Sequence, residues 1–182
     1  MKGVRRWELA GGVVIILAGS ALHFAFAWTG YWPPAAVVAP VNESVWEHLK
    51  LAFWPGLAFA LIEFVAIREH VSNFWVAKSV ALFSMPATVV VLFYAYTALT
   101  GGNYLVADIV IFIIAVVVGQ WISYRILLAR RLRRFVRPLA IGALVVMLGA
   151  FALLSYLPPR LPLFRDPVTG QYGLLDSYPV HD

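Results

Sequence analysis

The chain has 182 residues, of which 62% are hydrophobic and 13% charged, and its mean hydropathy is +0.83. Soluble domains average roughly 45–50% apolar and ~25% charged residues, and a folded chain of this length leaves much of its surface exposed. Soluble globular, disordered, coiled-coil and disulfide-stapled classes are therefore excluded, and an integral membrane protein is expected. With no cysteine, disulfides, thiolate metal sites and thiol catalysis are also excluded. A net charge of +5 would point to nucleic acid in a soluble chain. Here the basic residues flank apolar runs, where they set membrane orientation, and no nucleic-acid partner is expected.

A spanning helix needs about 20 mainly apolar residues. Five stretches qualify, at 9–27, 49–67, 76–99, 105–128 and 139–157. They are continuous rather than alternating, which argues against a barrel. The predicted fold class is all-α, an integral membrane bundle of five transmembrane helices within residues 1–157. Lys2, Arg5 and Arg6 precede the first stretch, and Arg68 and Lys78 bracket the turn between the second and third. Arg130, Arg131, Arg133, Arg134 and Arg137 fill the turn between the fourth and fifth. Basic residues stay inside, so the N-terminus is expected in the cytoplasm and the C-terminus outside. The expected location is the cytoplasmic membrane, multi-pass, with membrane lipids as partners. Ala25-Phe26-Ala27 has the outline of a signal-peptide cleavage site. Bulky Phe24, Phe26 and Trp28 crowd it, so the stretch is expected to remain as a span.

Two longer pieces fall on the outer side. Between spans one and two, Trp28, Tyr31 and Trp32 suit an interfacial aromatic belt, and Pro33, Pro34 and Pro40 stop a helix from running through. Residues 158–182 form an extracytoplasmic C-terminal segment. Its Asp166-Pro167-Val168-Thr169-Gly170 has turn chemistry, and the flanking runs predict a short hairpin lying over the span ends. Gly12 with Gly19, and Gly142 with Gly149, are expected close-packing positions. Pro55 and Pro86 are expected to kink their spans.

The densest polar stretch is Asn42-Glu43-Ser44-Val45-Trp46-Glu47-His48-Leu49-Lys50. Ser44 and Glu47 fit a capping box, and Asn42 can cap as well. Glu43, Glu47 and Lys50 would share one helix face, with His48 about 100° away. His23 and Asp108 fall at the same membrane level. Ionisable groups in a span are costly and usually face the interior with a partner. His23, Asn42, Glu43, Glu47, His48, Lys50 and Asp108 are therefore the candidate ligand-binding residues of one outer-leaflet pocket. The structural alternative is a packing ion pair such as Lys50 with Asp108. Imidazoles and carboxylates bind divalent metals, which makes His23, Glu43, Glu47 and His48 the candidate metal ligands and a divalent metal the candidate cofactor. No His-Glu-x-x-His spacing is present.

The expected function is binding of a small ligand, a lipid headgroup or a metal ion in that pocket. The alternatives are a metal-assisted membrane hydrolase and a structural or accessory subunit. A second polar set, Glu63, Lys78, Gln120, Tyr124 and Arg125, lies toward the cytoplasm. There Glu63 is expected to pair with Lys78 or Arg125 in a structural role.

The string Asn-Glu-Ser-Val-Trp-Glu-His-Leu-Lys at 42–50, with His23 before it, resembles an uncharacterised family of small multi-span bacterial membrane proteins. So does the tail pattern Leu161-Pro-Leu-Phe-Arg-Asp-Pro-Val-Thr-Gly-Gln-Tyr-Gly173. The resemblance covers nearly the whole chain and implies a bacterial, membrane-embedded protein. It assigns no activity and no catalytic residue.

Overall fold

The computed structural model describes residues 2–178. Helix α1, Lys2–Leu22, starts earlier than the expected span, because the basic N-terminal residues continue its helical register outward. It stops at Leu22, and His23 and Phe24 separate it from the short α2, Ala25–Trp28. Tyr31 then takes a left-handed φ of 61°, uncommon for a residue with a Cβ. Two contacts hold it there. Its N–H donates to Phe26 O at 3.0 Å, and its ring stacks on Tyr178 at 5.0 Å. Pro33–Val37 forms a single 3-10 turn.

Four long helices follow. They are α3, Val45–Ile67; α4, Phe74–Thr100; α5, Leu105–Leu127; and α6, Val136–Leu154. These four are long and apolar enough to cross a membrane. In α1, by contrast, Lys2, Arg5, Arg6 and Glu8 occupy the first two turns. Pro55 and Pro86 sit inside α3 and α4, which both remain continuous helices.

The surface is the inverse of a soluble protein. Val65, Leu105, Val106 and Val146 are each more than 70% exposed, whereas Lys50 and Glu63 are 0% exposed. Exposed apolar side chains of this kind suit a lipid surrounding, and only partners inside the bundle can stabilise the second group. The chain is thus all-helical, with the span lengths and apolar surface that a membrane bundle needs.

α4 and α5 form an antiparallel pair, joined by a tight turn that Gly101 closes in the left-handed conformation, φ 76°. Gly119 lets α5 approach Met85 and the backbone of Ala81 on α4. On α1, Gly11 faces Phe59 and Gln120, and Gly19 faces the Leu51 backbone and Phe112. The expectation for Gly142 and Gly149 is corrected, since neither has a neighbour within 4 Å of an added Cβ. α6 lies at the edge of the bundle, where a small residue opens onto the outer surface of the helix group. Gly12 makes only an ordinary contact with Gln120.

The predicted hairpin in the tail is also corrected. Among the described residues there is no strand, only an isolated bridge between Arg165 and Tyr172. Pro162 starts a 3-10 turn over Pro162–Phe164, and α7, Gly173–Ser177, replaces the second arm. The Asp166 turn does form. Its carboxylate accepts from Val168 N at 2.7 Å and Thr169 Oγ1 at 2.9 Å. The tail folds onto one end of the bundle, where Trp46 lies 4.9 Å from both Phe151 and Phe164. Leu174 there joins Phe26, Ala36, Ala39 and Val41 in an apolar cap.

Candidate functional site

α3 begins beneath that cap. Ser44 is extended at the helix start and its Oγ accepts from Glu47 N at 3.4 Å. The other half of the expected capping box is corrected. Asn42 Oδ1, not Glu47, accepts from Ser44 N, at 3.0 Å, and this frees the Glu47 carboxylate to turn inward. Its Oε2 accepts from Val41 N at 3.0 Å and from Lys50 Nζ at 2.6 Å, and its Oε1 accepts from Ser155 Oγ at 2.8 Å. Lys50 Nζ also donates to Ala36 O at 2.6 Å and Ala39 O at 3.4 Å. One buried pair therefore ties the 36–41 loop to α3 and α6. The packing pair is Lys50 with Glu47, not Lys50 with Asp108.

Asp108 lies elsewhere. It accepts from Tyr96 Oη at 2.5 Å and from Asn103 Nδ2 at 3.4 Å, while Tyr104 N donates back to Tyr96 Oη at 3.1 Å. It braces the α4–α5 turn. Asn42 reaches the tail, its Nδ2 donating to Ser177 Oγ at 3.3 Å.

The shared face expected for Glu43, Glu47 and Lys50 does not include Glu43, because α3 starts only at Val45. Instead Glu43 faces two histidines. His48 Nε2 lies 3.4 Å from Glu43 Oε2, and His23 Nε2 lies 3.9 Å from Glu43 Oε1. The imidazole rings are 5.3 Å apart. One donor atom from each of His23, Glu43 and His48 lies within 4.8 Å of the other two. Three separate pieces of chain supply them: the residue after α1, the loop before α3, and the first turn of α3.

The tautomer of His48 follows from its surroundings. Its Nδ1 is 2.9 Å from Ser44 O, and a carbonyl can only accept. Nδ1 therefore carries the proton, and the Nε2 lone pair points at the Glu43 carboxylate. Two acceptors facing each other call for a cation between them, a proton or a metal. A backbone carbonyl on the far nitrogen is the usual way a ligating histidine is oriented. Bonds of about 2.0–2.2 Å at tetrahedral angles set donor atoms about 3.4 Å apart, which matches the His48–Glu43 spacing. The histidine side chains are 31% exposed and that of Glu43 is 51% exposed, so the group borders the bundle surface.

At the opposite end, Glu63 on α3 meets Lys78 on α4 at 2.6 Å, and Lys78 meets Glu8 on α1 at 2.7 Å. Ser123 Oγ donates to Glu8 Oε1 at 2.7 Å, and Gln120 Nε2 donates to Glu8 O at 2.9 Å. Arg125 stands over the Trp121 ring. Lys78 is therefore the cation that Glu63 pairs with. Sequence reasoning missed Glu8 and Ser123. Glu8 falls one residue ahead of the expected 9–27 span, and a lone serine in an apolar run carries no distinguishing signal. The extension of the helix to Lys2 places Glu8 two turns inside it. A cavity of about 270 Å³ lies at this end, lined among others by Phe74, Arg68, Arg131, Arg133, Arg134 and Arg137. It holds none of the expected site residues.

Fold and site together define an all-helical bundle with four helices long and apolar enough to cross a membrane and a two-histidine, one-carboxylate cluster at one end. The chain belongs to the family of unknown function DUF6512, whose model matches residues 1–174. No curated protein and no solved structure matches it.

Proposed function

We propose that this is a metal-binding protein of the bacterial cytoplasmic membrane, holding a divalent transition metal ion of the zinc class through His23, Glu43 and His48. The observation that supports this most is the convergence of three donor atoms from three chain segments within 4.8 Å, with the His48 lone pair aimed inward. Two imidazoles and one carboxylate form a ligand set suited to zinc, with a fourth position left for water or substrate. α1 acts as a fifth span, its apolar stretch beginning at Leu9. The charge asymmetry then puts the N-terminus and the arginine-rich turn in the cytoplasm, and the metal ligands and tail outside.

Glu47 and Lys50 serve the site indirectly, by fixing the loop that carries Glu43 against α3. The same geometry favours binding over hydrolysis. Glu47 is the nearest carboxylate in sequence, and Val41 N, Lys50 and Ser155 engage it, so it is not free to act as a base on a metal-bound water.

Elemental analysis and zinc titration of the full chain in detergent test the proposal. One ion per chain is expected, and it should be lost in His48→Ala and His23→Ala with the helical content retained. Wild-type protein that binds no transition metal after gentle purification overturns it.

A further inference from the structure

The second polar cluster is built as regularly as the first. Four helices bring buried polar side chains together: Glu8 from α1, Glu63 from α3, Lys78 from α4, and Ser123 with Gln120 beside it from α5. None of Glu8, Glu63, Lys78 and Ser123 is more than 4% exposed. One turn nearer the basic end, the same four helices contribute Val4, Ile67, Phe74 and Leu127, which with Ala77 form one buried apolar cluster. The polar level is thus closed off by an apolar layer set one helical turn outward on every helix.

The charges in this level do not balance. Two carboxylates surround one ammonium, leaving one negative charge if all three ionise. Gln120 and Ser123, the polar groups from α5, are uncharged. Arg68 is held over the Phe64 ring and Arg125 over the Trp121 ring, and neither forms an ion pair with the cluster among the described residues. Tyr124 packs in the apolar layer. Glu8 Oε2 and Glu63 Oε1 are buried and have no hydrogen-bond partner among the described residues. An uncompensated charge sealed away from water is strongly disfavoured, and the orphaned oxygens mark where its compensation belongs.

We propose that Glu8, Glu63 and Lys78 form a proton-binding site, in which the two carboxylates hold one proton between them in addition to the charge of Lys78. The occupied site is neutral. Glu8 Oε1 accepts from both Lys78 and Ser123, which favours the carboxylate form there. The proton therefore resides on Glu63. It arrives from bulk water and forms an O–H bond without displacing any group. Val4, Ile67, Phe74 and Leu127 must part for it to exchange.

Infrared spectroscopy of the full chain in lipid nanodiscs tests this. A protonated-carboxyl stretching band is expected at neutral pH and should be lost in both Glu63→Gln and Glu8→Gln, since either change leaves one carboxylate balanced by Lys78. The band should shift slowly after transfer to D2O, and about tenfold or more faster in Phe74→Ala, which loosens the apolar layer. Absence of the band from wild type, or its persistence in either Gln variant, overturns the proposal. So does a failure of both Gln variants to fold, which would mean that both charges are required. A sodium-dependent rise in thermal stability without the band would assign the site to a metal cation instead and would also overturn it. D2O exchange at the wild-type rate in Phe74→Ala contradicts the seal.

Discussion

Lys50 Nζ lies 2.6 Å from Glu47 Oε2, and both side chains are withdrawn from solvent, at 0% and 1% exposure. The pair is saturated. Lys50 donates to two loop carbonyls, and Glu47 accepts from Val41 N and Ser155. It holds the 36–41 loop in place and so positions Glu43.

Lys50→Met is therefore expected to destabilise the protein by about 3–5 kcal/mol, because Glu47 keeps its charge in a buried site without its counterion. Adding Glu47→Gln should recover part of that loss. Thermal unfolding in detergent measures both. Equal stability of Lys50→Met and wild type would show that the pair does not fix the loop.

Ser155→Ala is expected to cost about 1–3 kcal/mol, since it leaves Glu47 Oε1 without its donor. The same melting assay reads it. The variant keeps the backbone carbonyl, so the 2.7 Å bond from Leu174 N to Ser155 O that docks the tail is retained. Limited proteolysis should therefore cut residues 158–178 no sooner than in wild type.

Gly119→Val and Gly149→Ala should behave in opposite ways. A side chain at Gly119 runs into Met85 and the Ala81 backbone on α4, whereas one at Gly149 meets nothing within 4 Å. Gly119→Val is expected to cost about 1–3 kcal/mol or more through overpacking. Gly149→Ala is expected to be neutral or to stabilise by up to about 1 kcal/mol through helix propensity. Melting temperatures that moved together would contradict the packing described.

Much of the fold was legible in the sequence, because hydrophobic length alone sets a spanning helix. The central runs in 49–67, 76–99 and 105–128 correspond to α3, α4 and α5 within a few residues. The expected first span, 9–27, and helix α1, Lys2–Leu22, differ at both ends, since the start of the helix is charged and its stop at His23 carries no proline or glycine signal. Glycines spaced by seven on α6 look the same in sequence whether they face a helix or lipid, and only the position of α6 at the bundle edge distinguishes them. At the site, His23, Glu43 and His48 were named from their chemistry and do come together. Glu47 could not be separated from them, because whether it faces inward depends on Asn42 taking over the cap. Asp108 lies in the first turn of α5 near the same end of the bundle, but its contacts lie in the α4–α5 turn.

Zinc binding should weaken as pH falls. A proton on Nε2 of His48 or His23 occupies the lone pair that the metal needs, so protons and metal compete for the site. Affinity measured by calorimetry should fall on acidification. An affinity that rose on acidification would exclude both histidines as ligands.

The most direct measurement is the metal content of purified wild-type protein compared with Glu43→Gln and His48→Ala, by elemental analysis. One divalent ion per chain in wild type, with strong depletion in both variants, is expected. No metal in wild type even after zinc loading, or equal content in all three proteins, would contradict a metal centre at His23, Glu43 and His48.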